Sequence, residues 1–326
     1  MSQLRLNPLT GRWVTIATER ASRPSDFVPR RLPVEAEPDR PCPFCPGNEE
    51  ATLPALETYG PHGKWLVRVV PNLWPAFEGD GDMVVKHLGP VWRQAPGNGI
   101  HEVLVFTPEH KASWADLDDK QAGLVIAAIR DRMEDHARLS SVAYTQAIVN
   151  HGREAGASLE HPHGQLLAIP FVPGELSDEL KCFKAFTAGD CLLCTAAEEE
   201  LGDRYRVLID HPKVLVLCPF WSGSPYELLV IPRAHTAHLD RADPATLVAV
   251  SRALRDALGQ LRRLLGDVAY NVMFHTAPHT SDDDTRFHWH VHVVPHVTTT
   301  AGFEQGTGVR INIVAPETAA HQLVEA

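Results

Sequence analysis

Apolar positions along the chain repeat with the period of a helix in two places, and similar strand-like runs flank both. In the second half Leu247, Val250, Leu254, Leu258, Leu261 and Leu265 fall three or four positions apart, with Asp243-Pro244 as a helix start ahead of them. Val125, Ala128, Ile129 and Met133 give a weaker stripe in the first half. An apolar run ending Val105-Phe106-Thr107-Pro108-Glu109-His110 precedes that first helix, and Ala143-Tyr144 opens another run after it. Leu228-Leu229-Val230-Ile231-Pro232-Arg233-Ala234-His235 and Ala269-Tyr270 hold the same places around the second. The pattern predicts an α+β fold in which one unit occurs twice in tandem, each copy an antiparallel sheet with helix flanking one face.

The intervals agree with the repeat. His110 to His161 is 51 positions and His235 to His288 is 53. From the C-x-x-C pair to the first histidine the step is 65 against 41, which places an insertion near the Gly/Pro-rich stretch Gly79–Gly99. The first unit is expected over 1–175 and the second over 176–326, with the join inside Phe171–Asp190.

Composition narrows the partners. A content of 44% apolar residues over 326 positions is enough for a real core. With 30 Lys and Arg against 41 Asp and Glu, the net charge of -11 argues against a nucleic-acid-binding face. No stretch approaches the ~20 apolar residues of a membrane span. The first twenty residues carry Arg5, Arg12, Glu19 and Arg20 and no signal-peptide core. The expectation is a soluble, cytoplasmic protein with neither nucleic acid nor membrane as partner.

Six cysteines and 18 histidines carry the candidate chemistry. Cys42/Cys45 and Cys191/Cys194 are close pairs that suit metal or redox use, whereas Cys182 and Cys218 read as small buried residues. A tetrahedral zinc site needs two such cysteines on a turn plus two histidines. Cys42, Cys45, His110 and His161 form one candidate set, and Cys191, Cys194, His235 and His288 form the other. A competing site for a second ion, zinc or iron, would use Glu179, His275, His290 and His292, since alternate residues on a strand share a face.

In His161-Pro162-His163-Gly164-Gln165 the same alternation puts His161, His163 and Gln165 on one side. If zinc anchors His161, then His163 is held as a positioned nucleophile, and its imidazole is a good one near neutral pH. Gln165 can donate an amide hydrogen to a phosphoryl oxygen but cannot act as an acid, which suits transfer with a good leaving group. Asn150 ends the strand before a small-residue loop in which Gly156 and Ser158 allow close approach to phosphate. Arg20 and Arg23 are candidates to clamp a sugar phosphate.

These residues resemble the galactose-1-phosphate uridylyltransferase family of the histidine-triad superfamily over nearly the whole chain. The resemblance rests on Asn7-Pro8-Leu9-Thr10-Gly11-Arg12-Trp13-Val14, Cys42-Pro43-Phe44-Cys45, Asn72 in Val69-Val70-Pro71-Asn72, Thr107-Pro108-Glu109-His110 and the His-Pro-His-Gly-Gln run. It implies two histidine-triad-like units and a ping-pong enzyme. His163 would take UMP from UDP-glucose and pass it to galactose-1-phosphate. It also implies that Asn72, Asn150, Ser158 and Gln165 touch the nucleotide, and that Phe303 and Glu304 lie near the hexose. Arg20 and Arg23 would approach from the second subunit of a homodimer. The lead-in Ala157-Ser158-Leu159-Glu160 departs from the family's Cys-Ser-Asn-Pro type, and the second C-x-x-C set is similar to ADP-glucose phosphorylase-like relatives. Adenylyl transfer from ADP-glucose is therefore the alternative enzyme, and a zinc-stabilised nucleotide-binding module without turnover is the alternative of another class.

Overall fold

The structure is a computed structural model that describes residues 2–22, 41–61, 63–281 and 286–326; Arg23 lies outside them. Up to the first long helix the strands are β1 (Gln3–Leu6), β2 (Trp13–Ile16), β3 (Glu57–Tyr59), β4 (Val67–Pro71), β5 (Lys86–Leu88), β6 (Trp92–Gln94) and β7 (Ile100–Val105). Helix α1 (Asp119–Ala137), β8 (Tyr144–His151), β9 (His163–Ile169), α2 (Gly174–Ala185) and α3 (Leu192–Asp203) follow. Then come β10 (Val207–His211), β11 (Val214–Leu217), β12 (Leu228–Pro232), α4 (Pro244–Leu265), β13 (Tyr270–His275) and β14 (His290–Pro295). The chain closes with α5 (Gly302–Thr307), β15 (Arg310–Asn312) and α6 (Pro316–Glu325).

Ten strands form one sheet in the order β10-β11-β12-β14-β13-β8-β9-β7-β4-β3, with every neighbouring pair antiparallel. The two predicted sheets are thus joined edge to edge, because β8 of the first half pairs with β13 of the second, Asn150 opposite Asn271. Joining the halves removes an exposed edge from each. The order reads the same from both ends, so a local two-fold lies between β8 and β13. The stretch Gly79–Gly99 carries the hairpin β5–β6, outside the ten-stranded sheet.

Helix α4 forms where the apolar stripe predicts. The Asp243 side chain accepts from the Thr246 N–H at 3.0 Å, Pro244 occupies the first turn, and Leu247, Val250, Leu254, Leu258 and Leu261 are buried. Asp118 caps α1 in the same way, accepting from Gln121 N–H at 2.7 Å. Both helices pack on one face of the sheet in a continuous core. In the second half the opposite face is covered by α2 and α3, with Phe183, Leu192 and Leu193 against Leu215, Leu229 and Ile231. In the first half that face is covered more thinly, by Phe44 on Val70, Val103 and Val105. The thin cover leaves room for a site beside β9. Among the described residues no helix is long and apolar enough to cross a membrane.

Candidate active site and metal centres

The turn that carries Phe44 into this small core also presents Cys42 and Cys45, while His110 follows β7 and His161 precedes β9. One ligand atom from each of the four lies within 4.8 Å of the others. Zinc bonds of ~2.3 Å to sulfur and ~2.0–2.1 Å to nitrogen, at tetrahedral angles, put sulfur and nitrogen about 3.6 Å apart. Here His161 Nδ1 lies 3.7 Å from Cys42 Sγ and 3.6 Å from Cys45 Sγ, and His110 Nδ1 lies 3.3 Å from Cys45 Sγ. The His161 Nε2–H donates to the Thr107 carbonyl at 2.8 Å, so the Nδ1 lone pair faces the sulfurs. Burial pushes the imidazole down to about 4, in the neutral form a ligand needs.

The second half repeats the arrangement. His288 Nδ1 is 3.7 Å from Cys191 Sγ and 3.4 Å from Cys194 Sγ, with His235 Nδ1 3.6 Å from Cys194 Sγ. All six cysteines are free thiols; Cys218 is buried, while Cys182 is only half-buried against the expectation of burial.

Glu179, His275, His290 and His292 form a third group with ligand atoms within 4.8 Å. Both Glu179 oxygens are 3.0 Å from His275 Nδ1, and His290 Nε2 is 3.0 Å from His292 Nε2. Burial pushes the Glu179 carboxyl up, but the adjacent His275 outweighs it and holds the carboxylate below its usual range. The sequence treated this group as a competitor of the second C-x-x-C set. The structure forms both, because His288 precedes β14 and turns toward the cysteines while His290 and His292 point to Glu179 of α2.

His163 opens β9, and its Nδ1–H donates to the His161 carbonyl at 2.7 Å. Nε2 is therefore the ring atom that carries the lone pair. Burial pushes this imidazole below its ordinary value, which keeps it neutral and nucleophilic at pH 7. His163, Gln165, Asn72 and Ser158 line a cavity of about 160 Å³. Asn150 borders His163 in a smaller adjoining space. Its Oδ1 accepts from Asn271 Nδ2 at 2.7 Å, so the second half braces it. Gly156 closes the short helical turn Arg153–Ala155 at φ +88°, a conformation that calls for glycine, but it does not line either space.

Other expected substrate residues lie elsewhere. Arg20 is exposed on the turn Thr18–Ser22, and Phe303 is exposed in α5. Glu304 lines a larger cavity of about 470 Å³ that also contains His275, His292 and Glu179. Among the described residues neither space beside His163 is lined by Arg20, Phe303 or Glu304.

Three polar residues went unnoticed in the sequence. Asn271 braces Asn150. His101 of β7 bonds Gln165, its Nε2 lying 2.7 Å from Oε1. Glu227, in the larger cavity, is pushed up to about 7 by burial, against which the Gly223 and Ser224 N–H groups work. Asn271 and Glu227 are single polar residues in or beside an apolar strand, and His101 stands next to buried Glu102 on β7; none has a motif around it.

Residues 1–173 match the family model described as galactose-1-phosphate uridyl transferase, N-terminal domain, and residues 203–299 match the HIT domain. An ADP-glucose phosphorylase from Arabidopsis thaliana is 32% identical over 99% of this chain and 92% of its own length. A galactose-1-phosphate uridylyltransferase from Thermotoga maritima is 31% identical over 100% of this chain and 98% of its own. The crystal structure of an Arabidopsis thaliana ADP-glucose phosphorylase with bound ADP-glucose has a TM-score of 0.86 at 31% identity, covering 100% of this chain and 99% of that one.

Proposed function

This chain belongs to the galactose-1-phosphate uridylyltransferase family, and from that premise we propose that it moves a nucleotidyl group between sugar phosphates through a covalent bond to His163. The observation that carries this reading is the His163 Nδ1–H bond to the His161 carbonyl, which leaves Nε2 as nucleophile. Nε2 attacks the α-phosphorus of a nucleoside-diphosphate sugar, the phosphorus–oxygen bond to the sugar phosphate breaks, and the sugar-1-phosphate departs as an anion. The charge left on the imidazolium is met by the carbonyl on Nδ1–H. An oxygen of the acceptor phosphate then attacks, the phosphorus–nitrogen bond breaks, and neutral His163 returns. Gln165, Asn72 and Ser158 supply donors to the phosphoryl oxygens.

With UDP-glucose as donor and galactose-1-phosphate as acceptor the reaction is uridylyl exchange, the activity named for the Thermotoga relative. A second reading, adenylyl transfer from ADP-glucose to phosphate, is favoured by the likeness to the Arabidopsis protein. Zinc is assigned to the two C-x-x-C sets, where it would hold loops in place, and zinc or iron to the Glu179 set. The units are read as 1–175 and 176–326. Because Arg20, Phe303 and Glu304 do not line the spaces beside His163, a second copy of the chain is inferred to bring them to the sugar in a cytoplasmic homodimer.

Incubation with nucleotide-labelled UDP-glucose and, separately, ADP-glucose should leave acid-labile label on His163, and the better donor identifies the base. Wild-type protein that takes label from neither would refute the proposal, and so would unchanged turnover in His163→Ala.

A further inference from the structure

His101 stands on β7, whose register with β9 sets Val103 opposite Gln165, so His101 is the next residue along on the same face as that pair. Its two ring nitrogens have different neighbours. The Ala76 backbone N–H, which can only donate, lies 3.0 Å from Nδ1. Nδ1 is therefore the acceptor, and the ring hydrogen sits on Nε2. Nε2 is 2.7 Å from Gln165 Oε1, so the imidazole donates and the amide oxygen receives. That leaves the Gln165 NH2 on the far side of its amide, facing the cavity shared with His163.

Asn72 points the same way. Its Oδ1 accepts from the Trp74 N–H at 2.9 Å, which turns its Nδ2 toward His101 Nε2 at 3.1 Å. Two donors meet there, so the Nε2–H is committed to Gln165 and the Asn72 amide hydrogens are left for the cavity.

We propose that His101 is a positioning residue: it fixes which end of the Gln165 amide meets the transferring phosphoryl group. This rests on the reading of Gln165 as a donor to that group. A flipped amide would set a carbonyl oxygen against a phosphoryl oxygen, replacing attraction with repulsion at the reacting centre. Among the described residues the second half has no such device at the matching position. Counting from His290 as from His163, the residue matching His101 is Glu227, whose carboxylate accepts from Gly223 and Ser224 N–H at 2.7 and 3.1 Å. Among the described residues the orienting donor stands only in the half that carries His163.

The test uses the full chain with nucleotide-labelled UDP-glucose and ADP-glucose. His101→Leu should slow labelling of His163 on the order of tenfold to a hundredfold while KM for the nucleotide sugar stays within about threefold. His101→Gln, which keeps a donor near the Nε2 position, should recover most of the rate. Placed on a Gln165→Leu background, His101→Leu should add no further loss, because the two act as one unit. A wild-type rate in His101→Leu, or an additive loss in the double variant, overturns the proposal and leaves the transfer chemistry standing. If wild type accepts no label, the functional reading fails. The tautomer is then decided by histidine-selective ¹⁵N spectra assigned with His101→Gln. A proton on Nε2 upholds the arrangement, and one on Nδ1 overturns it.

Discussion

His163 and His290 occupy the same place in the two halves. Each donates its Nδ1–H to the carbonyl of the histidine two residues earlier, at 2.7 and 2.8 Å, and each follows an anchor histidine held beside a C-x-x-C pair. Their neighbours differ. By strand register Gln165 corresponds to His292 and Gly164 to Val291. Asn150, one step beyond the Val149–Gly164 pair, corresponds to His275, which pairs with His290. Glu179 of α2 completes the second group. One backbone frame therefore carries an imidazole beside amide groups in one half and an imidazole inside a cluster of candidate ligands in the other. The bond that orients the histidine is shared, and the surrounding side chains decide its use.

The sharpest test of this contrast is to remove each histidine. His163→Ala should reduce nucleotidyl transfer on the order of 10⁴-fold or more, ~5.5 kcal/mol of barrier. His290→Ala should leave labelling of His163 within about tenfold while one bound metal is lost. Equal losses in the two variants, measured by single-turnover labelling, would end the division of labour.

The two candidate zinc sets give the next comparison. Cys42→Ser and Cys191→Ser should each release one ion per chain by elemental analysis, with a loss of stability on the order of 4–5 kcal/mol. The two sets should not hold their ions equally. His161 Nε2–H is braced by the Thr107 carbonyl, whereas buried His288 Nε2 has no hydrogen-bond partner among the described residues. Second-set zinc should therefore leave first under a chelator, at about 10–100-fold lower affinity. Release in the reverse order would show that the brace does not set affinity.

How much of this could be read from the chain depends on where partners lie in sequence. The cysteine pairs sit three positions apart and the histidines recur at matched intervals, so local spacing was enough to nominate the candidate ligand sets that the fold brings together. The helix α4 stripe was legible because five of its six apolar teeth are buried and the sixth, Leu265, packs partly buried against the same core. The joining of two sheets into one was not, since β8 and β13 reveal no pairing preference in their own residues. His101, Asn271 and Glu227 escaped for a related reason. Each is defined by a neighbour on another strand or loop, and a polar residue in or beside a strand looks the same in sequence with or without that neighbour.

The buried ion network of the first half is a further case. Glu102 on β7 accepts from Arg132 at 2.9 and 2.6 Å and is 3.2 Å from His136 Nε2, while its register mate in the second half is Leu228, fully buried. Burial pushes the Glu102 carboxyl up, but His136 and Arg132 outweigh it and hold the carboxylate low. Glu102→Gln should destabilise the fold on the order of 3 kcal/mol by leaving two buried donors poorly matched. A carboxyl held low stabilises above its unfolded value of about 4.3, and that contribution fades as pH falls through the lower folded value. The deficit of the variant should therefore be widest at neutral pH and shrink in acid. A deficit that is flat with pH in urea titrations would mean the network acts through packing alone.

The smallest effect concerns the residue between His163 and Gln165. A Cβ on Gly164 would meet the Phe106 ring and the Ile148 carbonyl oxygen, each at 2.9 Å. The second half places Val291 at the matching position, fully buried, and has Pro232 where the first has Phe106. The glycine is thus the counterpart of the aromatic ring laid over it, and strand geometry alone does not require it. Gly164→Ala should destabilise by about 1–3 kcal/mol, read as a fall in the unfolding midpoint. Its rate of His163 labelling should also drop, because β9 must shift to relieve the contact. Phe106→Leu on the same background should restore part of both, since a flexible side chain can move off the new methyl while the carbonyl contact remains. If Gly164→Ala is neutral in the presence of Phe106, the ring is not what excludes a side chain there, and the two halves differ at this position for some reason other than packing.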